Sequence, residues 1–318
     1  MKAFLPDQIH ISQVNLRTSN LKRLLPFYLE VLGLKARYAL GSRATLSPAA
    51  EGPELIVLSE DANAPARPPH STGLYHLALR YPDRQALAQA YQQLARSRYP
   101  LAGASDHGVS EALYLSDPDG NGIELYADRP RAQWQWRNGQ VAMRTGALDL
   151  EDLLATAPNH ATTPGAPPRI EIGHIHLQVA DLAAAERFYS EYLGLTVTQR
   201  SYPGALFFAA GNYHHHVAVN VWAHPTAAPA GSVGLVSYRF QVPCAELLYC
   251  LSHRAPLVGY ETRSASAQDS STILQIRDPN GAWLEIEPSP DAAAFEPGTN
   301  SCARREAATL SALSHGAN

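Results

Sequence analysis

The chain has 318 residues, of which 45% are hydrophobic and 17% charged, and its formal net charge is −4. This composition is typical of a soluble globular protein with room for two domains, and it excludes a disordered or fibrous chain. The acidic balance argues against a nucleic-acid-binding surface, and no run of about 18 apolar residues is present to span a membrane. Because the start also lacks an apolar leader, we expect a cytoplasmic protein with no nucleic-acid or membrane partner.

The second half of the chain repeats the first half at a distance of 161 residues. The segment ISQVNLRTSNLKRLLPFYLEVLGL (11–34) aligns without a gap to IGHIHLQVADLAAAERFYSEYLGL (172–195). Further along, SDPDGNGIELY (116–126) aligns to RDPNGAWLEIE (277–287) at the same distance. Such an internal repeat indicates a tandem duplication.

Each half divides again into two units of one strand, a helix and three short strands. In the segment 172–195, Ile175, Leu177 and Val179 alternate as in a strand, and Asp181 is placed to cap the helix that follows. We therefore predict an α+β fold of four βαβββ modules that pair into two curved-sheet cups. The modules are expected at about 9–58, 73–127, 171–222 and 233–287.

The modules suggest a division of the chain into four segments. We expect an N-terminal domain at 1–127 with modules one and two, and a C-terminal domain at 169–290 with modules three and four. Between them lies a Pro-rich and Ala-rich linker, 128–168, that contains a short helix. The tail, 291–318, is rich in Ala and Ser and is expected to be partly disordered.

Strand alternation separates the side chains that pack on a helix from those that face the cup. In module three this places His174 and His176 in the cup. The first strand of module two adds His76, and its last strand adds Glu124. The four side chains therefore come from two neighbouring modules.

Two imidazoles and one carboxylate form the facial triad that binds Fe(II) or Mn(II) and leaves further coordination positions open. Taken alone, a strand histidine is more often solvated or hydrogen-bonded than a ligand, and an acid after a turn is usually exposed. The coincidence of His76, His174 and Glu124 is what favours a metal centre.

The segment from His107 to Glu124 resembles the signature of the type I extradiol ring-cleaving dioxygenases, a group within the vicinal oxygen chelate superfamily that includes the catechol 2,3-dioxygenases. The matching positions between these two residues are Tyr114, the Asp117-Pro118 pair and Gly120. The resemblance to the superfamily covers roughly residues 9–287. The glyoxalase/bleomycin-resistance/extradiol dioxygenase fold that it implies has the same four modules.

The resemblance implies a ligand set and a substrate class. His76, His174 and Glu124 would bind Fe(II), with Mn(II) as the alternative, and the substrates would be a small aromatic diol and O₂. Tyr114 would hydrogen-bond a catechol oxygen, and His107 would lie near the substrate. Relatives of this kind are usually homo-oligomers, so a homo-oligomer is expected.

The segment NYHHHVAV (212–219) is similar to the segment that holds the acid–base histidine in this group. Strand alternation favours His216 as this residue, whereas the spacing to Ala218 favours His215, and both stay open. His176 is expected to hold a substrate oxygen, with Asn220 on the same strand face as a second substrate-binding residue.

The chain departs from the group in where the motif lies. In familiar members the signature and both histidines lie in the C-terminal half, but module four has Ser237 and Gln275 at the matching positions, and module one has Gln13. We therefore predict that module two pairs with module three. The alternative site of His174, Glu285 and a module-three histidine lacks its third standard ligand.

The resulting hypothesis is extradiol cleavage of a catechol by O₂ at a non-heme iron centre. One alternative is another metal-dependent vicinal oxygen chelate enzyme, such as a glyoxalase-like isomerase, which would prefer Ni, Zn or Co and consume no O₂. The other is a metal-free protein that binds small molecules, which would not require the triad.

Overall fold

The computed structural model describes residues 5–158, 167, 169–223, 226–266 and 272–293. The predicted α+β fold of four βαβββ modules is confirmed. Most of the predicted tail and the end of the predicted linker lie outside the described residues. In the described part of the chain, no helix has the length and apolar character needed to cross a membrane.

The first half contains modules one and two. Module one consists of β1 (His10–Thr18), α1 (Leu21–Pro26) with a π-helical continuation (Phe27–Val31), β2 (Lys35–Leu40), β3 (Arg43–Ser47) and β4 (Ile56–Glu60). Module two consists of β5 (Gly73–Tyr81), α2 (Arg84–Ser97), β6 (Gly103–Asp106), β7 (Ser110–Ser116) and β8 (Gly122–Asp128).

The linker contributes short elements before the second half begins. They are a 3₁₀ turn (Arg131–Gln133), β9 (Trp136–Arg137), β10 (Gln140–Val141), β11 (Gly146–Ala147) and α3 (Leu150–Ala155). The predicted short helix of the linker is therefore present as α3.

The second half contains modules three and four. Module three consists of β12 (Glu171–Gln178), α4 (Leu182–Glu186) with a π-helical continuation (Arg187–Tyr192), β13 (Thr196–Gln199), β14 (Ala205–Ala209) and β15 (Val217–Asn220). Module four consists of β16 (Gly234–Cys244), α5 (Glu246–Leu257), β17 (Thr262–Ser266), β18 (Thr272–Arg277) and β19 (Trp283–Ala293).

The helices pack on the convex faces of the sheets for the reasons that the sequence suggests. Asp181 caps α4, because its carboxylate accepts a hydrogen bond from the backbone N–H of Ala183 at 2.8 Å. The following π-helical turn buries Phe188, Tyr189 and Tyr192 against the sheet. Burial of these rings, rather than the short helix alone, holds the element in place.

The modules pair across the middle of the chain, as predicted. Strand β5 of module two runs antiparallel to β12 of module three, and β1 of module one runs antiparallel to β16 of module four. The central cup has the strand order β13-β14-β15-β12-β5-β8-β7-β6-β11, and the outer cup has the order β2-β3-β4-β1-β16-β19-β18-β17. A bridge between Ile11 and Ile172 joins them. Both halves share both sheets, and the proposed division at 1–127 and 169–290 stays a prediction.

Gly173 lets two strands of the central cup approach each other closely. A Cβ atom at this position would lie 1.7 Å from the hydroxyl oxygen of Tyr126. That hydroxyl is buried and hydrogen-bonded to the hydroxyl of Tyr213 at 2.7 Å. The absence of a side chain at Gly173 therefore fixes the position of the next residue, His174.

We expect Gly173→Ala to destabilise the protein by about 3 kcal/mol or more, because neither Tyr126 nor the backbone of β12 can move without losing buried hydrogen bonds. Urea unfolding monitored by circular dichroism measures the change. Gly146→Ala is the matched control, since its Cβ would meet its nearest neighbour at an ordinary 3.6 Å. Equal stability of the two variants would contradict the tight contact.

Candidate metal centre

The three predicted metal ligands lie on neighbouring strands of the central cup. Glu124 on β8 is the register partner of Ala78 on β5, and Ala78 is in turn the partner of His174 on β12. His76 lies two residues before Ala78 on β5, so its side chain is on the same face. The small side chain of Ala78 leaves the space between the three longer ones open.

The ligand atoms converge on one point. Oε2 of Glu124 lies 3.0 Å from Nε2 of His76 and 3.1 Å from Nε2 of His174, and the two nitrogens are 3.3 Å apart. Bonds of about 2.1 Å from a divalent metal to ligands at right angles separate those ligands by about 3 Å. The spacing therefore fits three facial positions of one metal ion. Among the residues that the structure describes, this is the one group of metal-type donors that converges in this way.

The electrostatics of the three side chains also fit a cation. Burial lowers the pKa of His174 to about 4, so the ring is neutral near pH 7, as a metal ligand must be. Burial raises the pKa of Glu124, but the adjacent His174 and His76 rings outweigh this effect, and its pKa lies well below the ordinary value. The ion-pair partners of Glu124 among the described residues are these two rings alone. A bound divalent cation would compensate the buried carboxylate that these two rings contact.

Ring packing holds His174 in place. Its Nδ1 atom has no hydrogen-bond partner in the described part of the chain. The ring lies against His215, with 4.1 Å between ring centroids, and against Tyr126 at 5.0 Å. Its orientation therefore depends on neighbouring rings and on Gly173.

The ligands open into a cavity of about 630 Å³. This volume lies within the range of about 300–1,000 Å³ that is typical of small-molecule sites. Apolar and aromatic side chains form much of the wall, namely Leu74, Tyr75, Val109, Leu115, Ile123, Met143, Tyr202, Phe207 and Trp222. The cavity therefore suits an aromatic compound larger than a single ring.

His107 and Tyr114 form a hydrogen-bonded pair on the cavity wall. Nδ1 of His107 donates to the backbone carbonyl of Arg144 at 2.8 Å, since a carbonyl can only accept. In the neutral ring Nε2 is then an acceptor, and it receives the hydroxyl hydrogen of Tyr114 at 2.6 Å. Burial raises the pKa of Tyr114 well above its ordinary value, so the group remains a phenol. Its oxygen keeps a lone pair for a donor in the cavity.

His215 lines the same cavity and begins a chain of hydrogen bonds that runs away from it. Its Nδ1 lies 2.8 Å from Nδ1 of His214, and Nε2 of His214 lies 3.0 Å from a carboxylate oxygen of Asp128. Asp128 fixes the proton of His214 on Nε2, so Nδ1 of His214 accepts from Nδ1 of His215. Burial lowers the pKa of His215 well below its ordinary value. The neutral ring is thus held with Nε2 unprotonated.

His216 points elsewhere. Strand β15 begins only at Val217, so the alternation counted back along this strand does not extend to the three histidines. The backbone N–H of Ala210 donates to Nδ1 of His216 at 3.3 Å, and the ring lines a separate cavity of about 260 Å³ beside Arg80. Strand alternation therefore does not apply at His216, whose ring lies outside the main cavity.

His176 lines the main cavity, whereas Asn220 does not. The side-chain NH₂ of Asn220 donates to Nε2 of His176 at 3.0 Å, and its oxygen accepts from the backbone N–H of Trp222 at 3.2 Å. Strand parity places Asn220 on the correct face, but its amide is engaged by His176 and by the backbone of Trp222. Asn220 therefore orients the ring of His176 without lining the cavity itself.

Sequence inspection missed several residues of the site. Asp128 and His214 were absent from the predicted set because their role depends on a contact between β8 and the loop before β15. Met143 and Thr145 of the linker line the cavity, and Arg144 holds His107 through its carbonyl. The Trp-containing start of the linker was the one available signal that it packs on the protein.

The outer cup places an arginine where the central cup has its open space. Arg239 is the register partner of both Glu285 and Gln13, as Ala78 is of the carboxylate and histidine in the central cup. Its guanidinium contacts Glu285 at 2.7 Å, and Gln275 donates to the same carboxylate at 2.8 Å. Glu285 is thus already neutralised, which argues against the alternative site that includes it.

Comparisons with known proteins agree with this architecture of two repeated halves. The model of the Glyoxalase/Bleomycin resistance protein/Dioxygenase superfamily matches residues 10–125 and 171–286. A catechol-2,3-dioxygenase of Bacillus subtilis (strain 168) is 40% identical over 286 residues, which cover 87% of this chain and 97% of that protein.

Two solved structures share the fold. A Bacillus subtilis protein assigned as a dioxygenase has a TM-score of 0.64 at 13% identity, over 97% of this chain and 96% of that one. Glyoxalase I from Zea mays has a TM-score of 0.56 at 15% identity, over 89% of this chain and 94% of that one. Since the family model matches both halves of the repeat, the chain belongs to the Glyoxalase/Bleomycin resistance protein/Dioxygenase superfamily.

Proposed function

We propose that this protein opens the ring of a catechol-type aromatic beside its two hydroxyl groups, with O₂ as the co-substrate. One observation carries the proposal: the buried His76, Glu124 and His174 triad, the Tyr114 phenol and the His215 ring all face one cavity. The 40% identical relative is a catechol-2,3-dioxygenase, which supports the same reaction.

His76, His174 and Glu124 would hold the metal, and we propose Fe(II), with Mn(II) as the alternative. Two neutral imidazoles and a carboxylate suit either ion and leave three positions for ligands from solution. When bound, such an ion supplies Lewis acidity toward the diol and the redox chemistry that O₂ requires.

His215 would act as the acid–base residue. Its unprotonated Nε2 faces the cavity and can accept the proton of a catechol hydroxyl, and the same nitrogen can later return it. His214 and Asp128 keep Nδ1 of His215 in the donor role, so the lone pair stays on the cavity side. A fixed tautomer removes the need to reorient the ring before proton transfer.

Tyr114, His107 and His176 would position the diol. The lone pair of the Tyr114 oxygen can accept a hydrogen bond from one substrate hydroxyl, while His107 holds the tyrosine hydrogen away. His176 stacks edge-on to His76 at 4.9 Å and narrows the space beside the ligands. The apolar walls exclude water from the ring that reacts.

The reaction balances without an external reductant. Both atoms of O₂ enter the product, and one carbon–carbon bond beside the diol is broken, which yields an acid of the 2-hydroxymuconate semialdehyde type. A glyoxalase-like isomerase would have no evident use for the His107 and Tyr114 pair. A metal-free binding protein would have no evident use for the convergence of Glu124 with two histidines on one point.

Glu124→Gln tests the metal centre directly. We expect metal affinity to fall by more than about 100-fold, because even groups that only orient ligands are worth 10–100-fold. Oxygen uptake with catechol should be lost at the same time. Metal analysis after Fe(II) loading under anaerobic conditions and an oxygen electrode measure the two effects.

The matched control is Glu285→Gln, which changes the equivalent carboxylate of the outer cup. This variant should retain the metal content and the oxygen uptake of the unmodified protein. Normal iron content in Glu124→Gln, or loss of iron in both variants, would contradict the assignment.

Asp128→Asn tests the hydrogen-bond chain behind His215. Without the carboxylate, the proton of His214 is no longer fixed on Nε2, so His215 loses its preferred tautomer. We expect kcat to fall by roughly 10- to 100-fold with little change in KM or iron content. Steady-state oxygen uptake measures both constants. Asp152→Asn, which removes a surface carboxylate paired with Arg84, should leave both unchanged.

A further inference from the structure

We infer that Arg67 binds a negatively charged group of the substrate, so that the preferred substrate is a catechol with a carboxylate on a short side chain. This inference rests on the proposed function and specifies its substrate class. Arg67 lines the wall of the catalytic cavity. Its role is one of binding, since it does not touch the metal ligands.

Among the described residues that line the cavity, Arg67 is the one basic side chain that is not a histidine. The other fully charged side chain among the lining residues is Glu124, which is committed to the metal. The wall therefore offers a cation with no acid opposite it. An anionic group of a bound substrate would supply the missing partner.

The guanidinium of Arg67 has no hydrogen bond and no ion pair to the residues that the structure describes. Burial lowers its pKa, and the acid that acts on it is Asp117. The oxygens of Asp117 are already occupied, since they accept from the hydroxyl of Tyr28, from the side chain and backbone of Asn121, and from the backbone of Asp119. Asp117 is therefore not the partner of Arg67.

The position of Arg67 is built into the repeat. Its side chain lies between Gly73 and Gly234, which are equivalent glycines at the starts of β5 and β16. A Cβ on Gly73 would lie 3.3 Å from Nη1 of Arg67, and one on Gly234 would lie 3.6 Å from Nε of Arg67. Both glycines also have positive φ angles, of 128° and 120°, that disfavour a side chain. The space between the two glycines orders the side chain of Arg67 before any ligand binds. This order lowers the conformational entropy that is lost on binding.

Because the guanidinium of Arg67 lies beside Gly73, the separation of Gly73 from His76 indicates the length of the substrate. Gly73 lies three residues before His76 on β5, a separation of about 10 Å along the strand. A catechol ring alone is shorter than this separation. A carboxylate on a short aliphatic chain would extend from the diol end of the cavity to Arg67.

Two other arginines provide matched controls. Arg17 and Arg277 line a second cavity of about 280 Å³ that Arg67 also borders, but neither lines the catalytic cavity. Neither forms an ion pair or a side-chain hydrogen bond with the described residues. They match Arg67 in charge and in lacking an ion pair, although Arg277 also lies over the ring of Trp283 at 5.2 Å, and they differ from Arg67 in access to the substrate.

The experiment compares a catechol acid with its amide, which has nearly the same shape but no charge. The pairs are 3,4-dihydroxyphenylacetate with its primary amide, and 3-(2,3-dihydroxyphenyl)propionate with its primary amide. For at least one pair, we expect kcat/KM of the acid to exceed that of the amide by about 10- to 100-fold, mostly through KM. Arg67→Gln should remove this preference. It should lower kcat/KM for the acid and change kcat/KM for the amide by less than about threefold. Arg67→Lys should retain part of it, and Arg17→Gln and Arg277→Gln should retain all of it.

Equilibrium binding of the same compounds to iron-loaded protein without O₂ separates the two proposals. Selective binding of the acid that depends on Arg67, without ring cleavage of any catechol, would support the inference and overturn the proposed function. Equal kcat/KM for acid and amide in both pairs, or an equal loss for both in Arg67→Gln, would overturn the inference. Inorganic phosphate, added at constant ionic strength, should inhibit turnover of the acid competitively and should not inhibit turnover of the amide. Equal inhibition of acid and amide would place the anion in the second cavity and would also overturn the inference.

Discussion

The antiparallel pairing of β5 with β12 is the constraint on which the site depends. It joins two modules that are distant in sequence and sets Ala78 beside His174, while the parallel pairing with β8 sets Ala78 beside Glu124. A slip of one residue in either pairing would turn the ligand side chains to the opposite face. The apolar side chains that alternate with the ligands hold the register, because Leu77, Leu79 and Ile175 are fully buried on the helix side.

The two cups of the duplicated chain differ in the residue that faces an equivalent buried carboxylate. In both cups a carboxylate stands on the last strand of a module, at Glu124 and Glu285, and faces the first strand of the same module. In the central cup the facing residue is Ala78, and the carboxylate is left beside the rings of His76 and His174. In the outer cup the facing residue is Arg239, whose guanidinium neutralises the acid. The same backbone can therefore satisfy a buried acid with a side-chain cation or present it to a metal ion.

The fold and the convergence of the candidate metal ligands could be predicted from the sequence because both depend on periodic patterns. The repeat reveals the modules, alternation assigns the faces of His76 and His174, and the degenerate positions at Ser237 and Gln275 indicate which modules pair. The acid–base histidine could not be decided in this way. A loop precedes β15, so parity has no meaning at His215 and His216, and only the three-dimensional contact with Asp128 distinguishes them. Asn220 shows a second limit, since alternation gives the face of a residue but not the hydrogen bonds that engage it.

The linker explains why the candidate site belongs to the central pair of modules. Modules two and three are adjacent in sequence, so the segment between them can pack on the cup that they form. Strand β11 extends its sheet through β6, and Gln199 donates to the carbonyl of Val141 at 2.7 Å. The linker thereby holds His107 through the carbonyl of Arg144 and closes part of the cavity wall. Modules one and four lie at opposite ends of the repeat and have no such connecting segment between them. The linker therefore adds wall residues to the central cup, where the candidate metal site lies.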